Sequence, residues 1–466
     1  MINRGHFGFG ANSMGKEKIL PAAAIAVVLL LHILGLFHRW WGLSGMEQIA
    51  LAILAITAIL WISELVPLFV TSFIIILLQT TWLAPEMNAA GIKISGQAFL
   101  SPFFSDIILL FLGGFVISAM LHKFDLDQRI AKWILGKSNG DGGLLVLLVI
   151  LISGFFSMWI SNTATAAMMF AVILPILRQA PPGSGFPAAM ALSIAFACNL
   201  GGLGTPIGTP PNAIAISYLA KNGIHISFVE WIALAAPVMA LSLIALWRLT
   251  LALYPDVRGQ ICIVCAEDAS LTAAHYMVMG IFLVTCLGWL TTDLHGFSSG
   301  TVSLIPIIIC FGFRLLDTHD FRTLSWDVLF MLGGGLSLGV GLQDSGLIAK
   351  LAGLVPEGTE AWIVIAAFGA LSLALSTFIS NTATGNLIIP VSVSIGGGSA
   401  LAAVVVAMSC SGAMALPVST PPNAIAFGSG FVRSGQMIKA GAIISVLALA
   451  AVLAMKGTYW KILGIF

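Results

Sequence analysis

Charge is scarce in this sequence. Asp, Glu, Lys and Arg make up 8% of its 466 residues, against about 25% in a soluble domain. Hydrophobic residues make up 59%, and the mean hydropathy is +1.05. A soluble fold could not hide that much apolar surface, so the solvent for most of the chain must be lipid. The formal net charge of +1 leaves no basic surplus for nucleic acid or for a peripheral patch. Cysteine is sparse as well. Cys198, Cys286, Cys310 and Cys410 lie in apolar segments and read as small packing residues. Cys262 and Cys265 form a lone CxxC, which lacks the second ligand pair of a zinc site. Phosphate-binding loops, HExxH motifs and nucleophile–base pairs are also missing, so an enzyme is the remotest reading. The lack of an N-x-Ser/Thr sequon favours a bacterial inner membrane.

What remains is a series of apolar runs near the roughly 20 residues a spanning helix needs. The first covers Ile19 to Phe37, after Lys16 and Lys18 and before Arg39, Trp40 and Trp41. A signal peptide would have a shorter core and a small-residue cleavage site, so this run reads as a membrane helix with an aromatic anchor. The expected spans are 19–37, 46–63, 66–83, 105–122, 188–219, 228–254, 273–292, 299–316, 327–343, 399–430 and 437–463. Two further stretches, 143–178 and 360–395, are too long for one span, and each has a polar break near its middle. Each reads as a re-entrant hairpin, because non-helical backbone at that depth survives only inside protein or beside water. The fold class expected is therefore all-α integral membrane, with about eleven transmembrane helices and two hairpins. With the N-terminus inside, 14 of the 20 Lys and Arg fall on the cytoplasmic side, including the cluster from Lys123 to Lys137.

The chain repeats itself. Thr209-Pro210-Pro211-Asn212-Ala213-Ile214-Ala215 recurs letter for letter from Thr420 to Ala426. Ile160-Ser161-Asn162-Thr163-Ala164-Thr165 recurs from Ile379 to Thr384, and Asp106, Gly113, Gly114 and Leu126 match Asp327, Gly334, Gly335 and Leu347. The pairs keep their order, at offsets of 211 to 221 residues. The same topology puts the first hairpin inside and the second outside, so the halves are expected to be inverted. Secondary transporters commonly have this architecture and bind substrate near mid-membrane at the repeat interface.

Each Ser-Asn-Thr tip sets a hydroxyl, a carboxamide and a second hydroxyl side by side where a hairpin turns. Such a tip can surround a small hard cation with oxygens and donate hydrogen bonds to a carboxylate. One tip alone could be a polar turn satisfying its own backbone. Two matched tips within an inverted repeat point to function. The Thr-Pro-Pro-Asn motifs interrupt runs that would otherwise be continuous helices, since two prolines remove two donors and clash with the preceding turn. Both runs read as broken helices, although a packing kink remains the plainer alternative. Gly201, Gly202, Gly204 and Gly208 let backbone approach an ion closely. Freed carbonyls can coordinate sodium, and the following helix N-terminus favours an anion. Neither tip nor break carries Lys, Arg or His. An anion bound there needs co-bound cations. Of the few acids, Asp106 and Asp327 read first as helix caps, whereas Glu64, at a helix junction, stays open between structure and function.

At these residues the sequence resembles the divalent anion/sodium symporter family of sodium-coupled dicarboxylate, citrate and sulfate carriers. Trp61, Ser63, Glu64, Pro67 and Thr71 match as well, as does the stretch from His295 to Val302. The resemblance implies a homodimer in which a scaffold holds a mobile transport domain that moves as an elevator. The corresponding division is 1–104 N-terminal helices, mostly scaffold; 105–225 first repeat core; 226–325 linking scaffold; 326–435 second repeat core; and 436–466 last helix. By resemblance, the first sodium site uses Ser157, Ser161, Asn162 and the backbone at Gly208. The second uses Ser376, Ile379, Asn381 and the backbone at Ser419. Substrate carboxylates meet Asn162, Thr163, Asn381 and Thr382, with Thr209, Pro210, Thr420 and Pro421 around them. Ser376 and Ser419 stand where the family pattern has Thr and Ala, and both keep or add an oxygen. The expected function is sodium-coupled uptake of a small dianion, most readily a C4 dicarboxylate, across a plasma membrane. A sodium-independent exchanger, a sulfate or citrate carrier and an anion channel are the rivals.

Overall fold

Ser44 and Glu47 cap each other at the start of one long apolar helix. The Ser44 amide donates to Glu47 Oε2 at 2.7 Å, and the Glu47 amide donates to Ser44 Oγ at 3.4 Å. Ser227 and Glu230 form the same reciprocal pair at the start of another. Such caps fix where apolar runs become helices in the computed structural model, which describes residues 14–181, 183–259, 271–353, 359–395 and 400–463. Cys262, Cys265 and Arg4 lie outside the described residues. Regular structure among those described is helical.

The principal helices are α1 (Met14–Ile33), α2 (Gly45–Ser63), α3 (Leu68–Leu78), α4 (Asp106–Lys123), α5 (Gly142–Trp159), α6 (Asn162–Leu177), α7 (Phe186–Gly201), α8 (Pro210–Lys221) and α9 (Phe228–Leu253). They are followed by α10 (Ala273–Leu290), α11 (Ser299–Gly312), α12 (Trp326–Asp344), α13 (Ala361–Phe378), α14 (Asn381–Ile395), α15 (Ala400–Ser411), α16 (Pro421–Gly428) and α17 (Ser434–Gly457). Among the described residues, nine helical segments are long and apolar enough to cross a membrane, fewer than the eleven expected. The breaks are one reason: the run 399–430 is split into α15 and α16, neither of which reaches spanning length. α11 is another short apolar helix. Conversely, α5 and α13, expected as hairpin arms, are each 18 residues long.

The cluster from Lys123 to Lys137, expected to mark the inner side, falls on the end of α4 and a short helix, Leu126–Leu135. That helix buries Leu126, Ala131 and Leu135 while Trp133 stays exposed. Lys123 Nζ lies 2.5 Å from Asp320 Oδ2 and 3.6 Å from Asp317 Oδ2, tying the end of α4 to the start of a short helix, Thr318–Arg322, before α12.

The two repeats are interlocked rather than side by side. α4 packs on α11 and α12 packs on α3, so the first core helix of each repeat rests on a helix of the other half. The contact point is the same in both. A Cβ on Gly113 would come within 2.5 Å of Ser303 Cβ, and one on Gly334 within 2.2 Å of Ser72 Cβ. Only glycine allows these approaches. Ser72 and Ser303 are themselves repeat counterparts, as are Trp61 and Trp289. The Trp61 indole donates to the Leu68 carbonyl at 3.2 Å and the Trp289 indole to the Ser299 carbonyl at 3.1 Å. In each case the acceptor is the first residue of the following helix. The repeat therefore begins earlier than the matched motifs suggest and includes α2–α3 and α10–α11. Trp289→Phe keeps the ring stacked on Phe228 but removes its bonds to Ser299 and Ser303. Thermal unfolding in detergent should show a loss of about 1–3 kcal/mol, with uptake largely retained.

At the centre lie α7 and α15. Nearly every residue of both is buried, and both are rich in Ala and other small residues, which lets neighbouring helices approach closely. α7 packs against α16, and α15 against α8, so the first part of each interrupted helix meets the second part of the other.

Candidate functional site

Both motifs break their helices. After Trp159, Ile160 and Ser161 are extended, and α6 begins at Asn162; after Phe378, Ile379 is extended, and α14 begins at Asn381. α7 ends in a short 3-10 turn, Gly202–Gly204, and helix resumes only at Pro210, where the missing amide costs nothing. α15 ends at Ser411 and helix resumes at Pro421.

The freed carbonyls of each break are gathered by the asparagine of the Thr-Pro-Pro-Asn motif. Asn212 Nδ2 donates to Gly202 O at 2.9 Å and Thr205 O at 2.8 Å. Asn423 Nδ2 donates to Met414 O and Leu416 O, both at 2.9 Å. Sequence reading placed these asparagines in the motifs but gave them no role. They are the staples that hold unwound backbone in one shape.

Behind each tip sits a buried serine. Ser157 Oγ lies 2.5 Å from Asn162 Oδ1 and 2.7 Å from Cys198 O. Ser376 Oγ lies 2.7 Å from Asn381 Oδ1 and 3.0 Å from Cys410 O. A hydroxyl has one proton, so three oxygens converge with a single hydrogen among them. A proton-poor group of neutral oxygens suits a hard cation. Gly208 has no room for a side chain, because a Cβ there would lie 2.4 Å from Gly202 O. Its counterpart Ser419 places Oγ within 2.7 Å of Thr377 O, while accepting from the Leu416 amide at 3.0 Å. Thr205 Oγ1 ties down Met158 O in the same way.

Tips and breaks meet at one central cavity of about 930 Å³. Asn162, Thr163, Thr209, Pro210, Asn381, Thr382, Thr420 and Pro421 all line it, as do Ser161, Gly208, Ile379 and Ser419. Ser157 and Ser376 stand behind the lining, each bonded to a lining asparagine. Apolar walls come from Phe69, Phe111, Phe115, Trp159, Phe378 and Val418. Among the described residues, the charged side chains on the wall are Glu64 and Asp327, and no Lys, Arg or His lines it. Glu64 ends α2 in a left-handed conformation, φ 48°. Asp106 does cap a helix, but not its own. Its Oδ1 accepts from Ser298 Oγ and, at 3.1 Å, from the Gly300 amide at the start of α11. Asn199 also lines the cavity, and no motif pointed to it.

Fold and site together define a multi-span helical membrane protein whose two repeats close around one central cavity. The profile of the citrate transporter family (CitMHS) matches residues 58–410, and the chain belongs to that family. The resemblance read from the motifs is thereby borne out. An uncharacterized transporter of Haemophilus influenzae is 30% identical, over 96% of this chain and 100% of its own. A sodium-dependent dicarboxylate transporter (SdcS) of Staphylococcus saprophyticus is 28% identical, over 88% of this chain and 86% of its own. An inorganic phosphate transporter (PHO87) of Saccharomyces cerevisiae is 27% identical over 88% of this chain. This chain spans about half the length of PHO87 and of an uncharacterized transporter of Schizosaccharomyces pombe that it also matches. Among solved structures, the YdaH transporter of Alcanivorax borkumensis superposes with a TM-score of 0.58 at 14% identity, covering 85% of this chain and 99% of its own. It shares the fold. The relatives are transporters, not enzymes.

Proposed function

We propose that this protein is a secondary transporter that couples sodium entry to uptake of a small dianion, most readily a C4 dicarboxylate such as succinate, malate or fumarate. The observation that carries this reading is the cavity's charge. Among the described residues, its wall holds donors and neutral oxygens from both repeats, two carboxylates and no cationic side chain. A dianion entering alone would face uncompensated desolvation. Sodium at the two serine–asparagine groups, Ser157, Ser161, Asn162 and Gly208 O on one side and Ser376, Ile379, Asn381 and Ser419 O on the other, offsets it. The amides of Asn162 and Asn381, with Thr163, Thr382, Thr209 and Thr420, then hold the two carboxylates, beside Pro210 and Pro421.

In this reading the hairpins are re-entrant and of opposite orientation. The protein is a homodimer in the cell's inner membrane with its N-terminus in the cytoplasm. Residues 105–225 and 326–435 move as an elevator against a scaffold formed by 1–104 and 226–325, and 436–466 is the last membrane helix. When more sodium charge than substrate charge crosses, the membrane potential adds about 2.3 kcal/mol per charge per 100 mV.

The test is radiolabelled succinate uptake by purified protein in proteoliposomes, with an inward sodium gradient and with potassium or choline in its place. Accumulation that requires sodium is the expected result. Uptake that ignores sodium but requires internal succinate would make the protein an exchanger. Sodium-driven uptake of citrate, sulfate or phosphate in place of succinate would move the substrate within the same mechanism.

A further inference from the structure

We infer that Asn199 is a positioning residue that turns Thr420 into an obligate hydrogen-bond donor toward the substrate's anionic oxygen. The inference rests on the reading of the central cavity as the dianion site. Asn199 lies near the end of α7, is 1% exposed, and reaches across to the other repeat. Its Nδ2 donates to Thr420 Oγ1 at 3.0 Å and to Asn423 Oδ1 at 3.1 Å.

The orientation of both amides follows from their partners. Asn423 Nδ2 already donates to two backbone carbonyls, so its Oδ1 is an acceptor and requires a donor. Asn199 supplies it, and flipping Asn199 would set two oxygens against each other. Thr420 Oγ1 receives one bond from Asn199 Nδ2 and a second from the Asn423 backbone N–H at 3.3 Å. With both lone pairs occupied, the hydroxyl has only its proton to offer. Among the described residues Thr420 Oγ1 only accepts, and no protein acceptor takes its proton. Thr420 lines the cavity, so the proton is left for a bound acceptor. Asn199 Oδ1 itself has no partner among the described residues, so the side chain serves through its donors and not as a fully satisfied core amide.

The other half treats its threonine differently. The position equivalent to Asn199 is Ser411, since each directly follows the cysteine whose carbonyl lies beside the buried serine. Ser411 Oγ approaches Thr209 Oγ1 at 3.3 Å. It brings one proton where Asn199 brings two. The cavity is thus polarised, with a committed donor at Thr420 and a freer hydroxyl at Thr209.

The replacement Asn199→Leu keeps size and removes both donors. Thr420 Oγ1 then has a free lone pair and can accept from the cavity as well as donate to it. Uptake of radiolabelled succinate is measured at saturating sodium, with succinamate, which replaces one carboxylate by an amide, as competitor. The expected result is a rise in succinate KM of about 10- to 100-fold, with little change for succinamate and an unchanged sodium half-saturation. A merely structural role would weaken both ligands by the same factor, and that outcome, or an unchanged KM, overturns the inference. Thr420→Val should show the same loss of preference, and the double variant no further loss. Should Asn199→Leu not fold, Thr420→Val with the wild-type preference intact would overturn it equally. Failure of the sodium-coupled reading appears separately, in the wild type, as uptake indifferent to sodium. If the wild type accumulates sulfate instead, sulfate and sulfamate replace the probe pair.

Discussion

Asn162→Ala should bring sodium-driven uptake close to the background of empty liposomes, and Asn381→Ala should do the same. Each asparagine stands at two interfaces at once. Its Oδ1 closes an oxygen group with the buried serine behind it, at 2.5 Å for Ser157 and 2.7 Å for Ser376. The rest of the amide lines the cavity. Alanine removes the proposed cation ligand and the proposed anion donor together, and each hydrogen bond to a charged group is worth about 1.5–3 kcal/mol. Because cation and anion hold each other in place in the proposed mechanism, the losses compound and exceed about a hundredfold in uptake at equal protein. Sodium half-saturation and succinate KM should rise together. A loss confined to one of the two would break the proposed coupling. Normal uptake by both variants would remove the tips from the site.

The two breaks should respond unequally to the same small change. Gly208→Ala places a methyl group 2.4 Å from the Gly202 carbonyl oxygen, an atom of rigid backbone already bonded to Asn212 at 2.9 Å. The chain must shift by more than a methyl contact allows, and the Gly208 carbonyl proposed for sodium moves with it. Overpacking of this kind costs about 1–3 kcal/mol. Uptake should fall about tenfold or more, with sodium half-saturation raised. Ser419→Ala, at the matched position, only loses Oγ contacts to Thr377 O and the Leu416 amide. Uptake should fall by less than about fivefold, in keeping with one or two neutral hydrogen bonds. Sodium-dependent uptake in proteoliposomes at a series of sodium concentrations checks both. Equal effects would mean that the carbonyl at Gly208 is no tighter a constraint than its counterpart.

Composition and repetition carried much of this protein into view. An 8% charged chain has one solvent available to it, and an identical heptapeptide and hexapeptide in the same order mark two related halves. The breaks were legible because Pro210-Pro211 and Pro421-Pro422 act locally: proline removes its donor whatever surrounds it. All eight substrate residues that the resemblance implies do line one cavity. The limits of the repeat were not legible. Trp61 and Trp289 staple matched helices, and Ser72 and Ser303 meet matched glycines, yet the flanking letters differ, because lipid-facing positions need only be apolar.

The pairing of the halves was not legible either. α4 rests on α11, α12 on α3, α7 on α16 and α15 on α8, and nothing in a linear repeat says whether each half closes on itself or on the other. Asn199 shows the consequence. It belongs to no motif, and 221 residues separate it from Thr420, whose hydroxyl it directs. Sequence determined the solvent, the helices, their interruptions and the oxygen-rich tips, since these follow from local chemistry. Only the tertiary structure decided which donors face which acceptors across the repeats, because a hydrogen bond's direction is set by what its neighbours have already used.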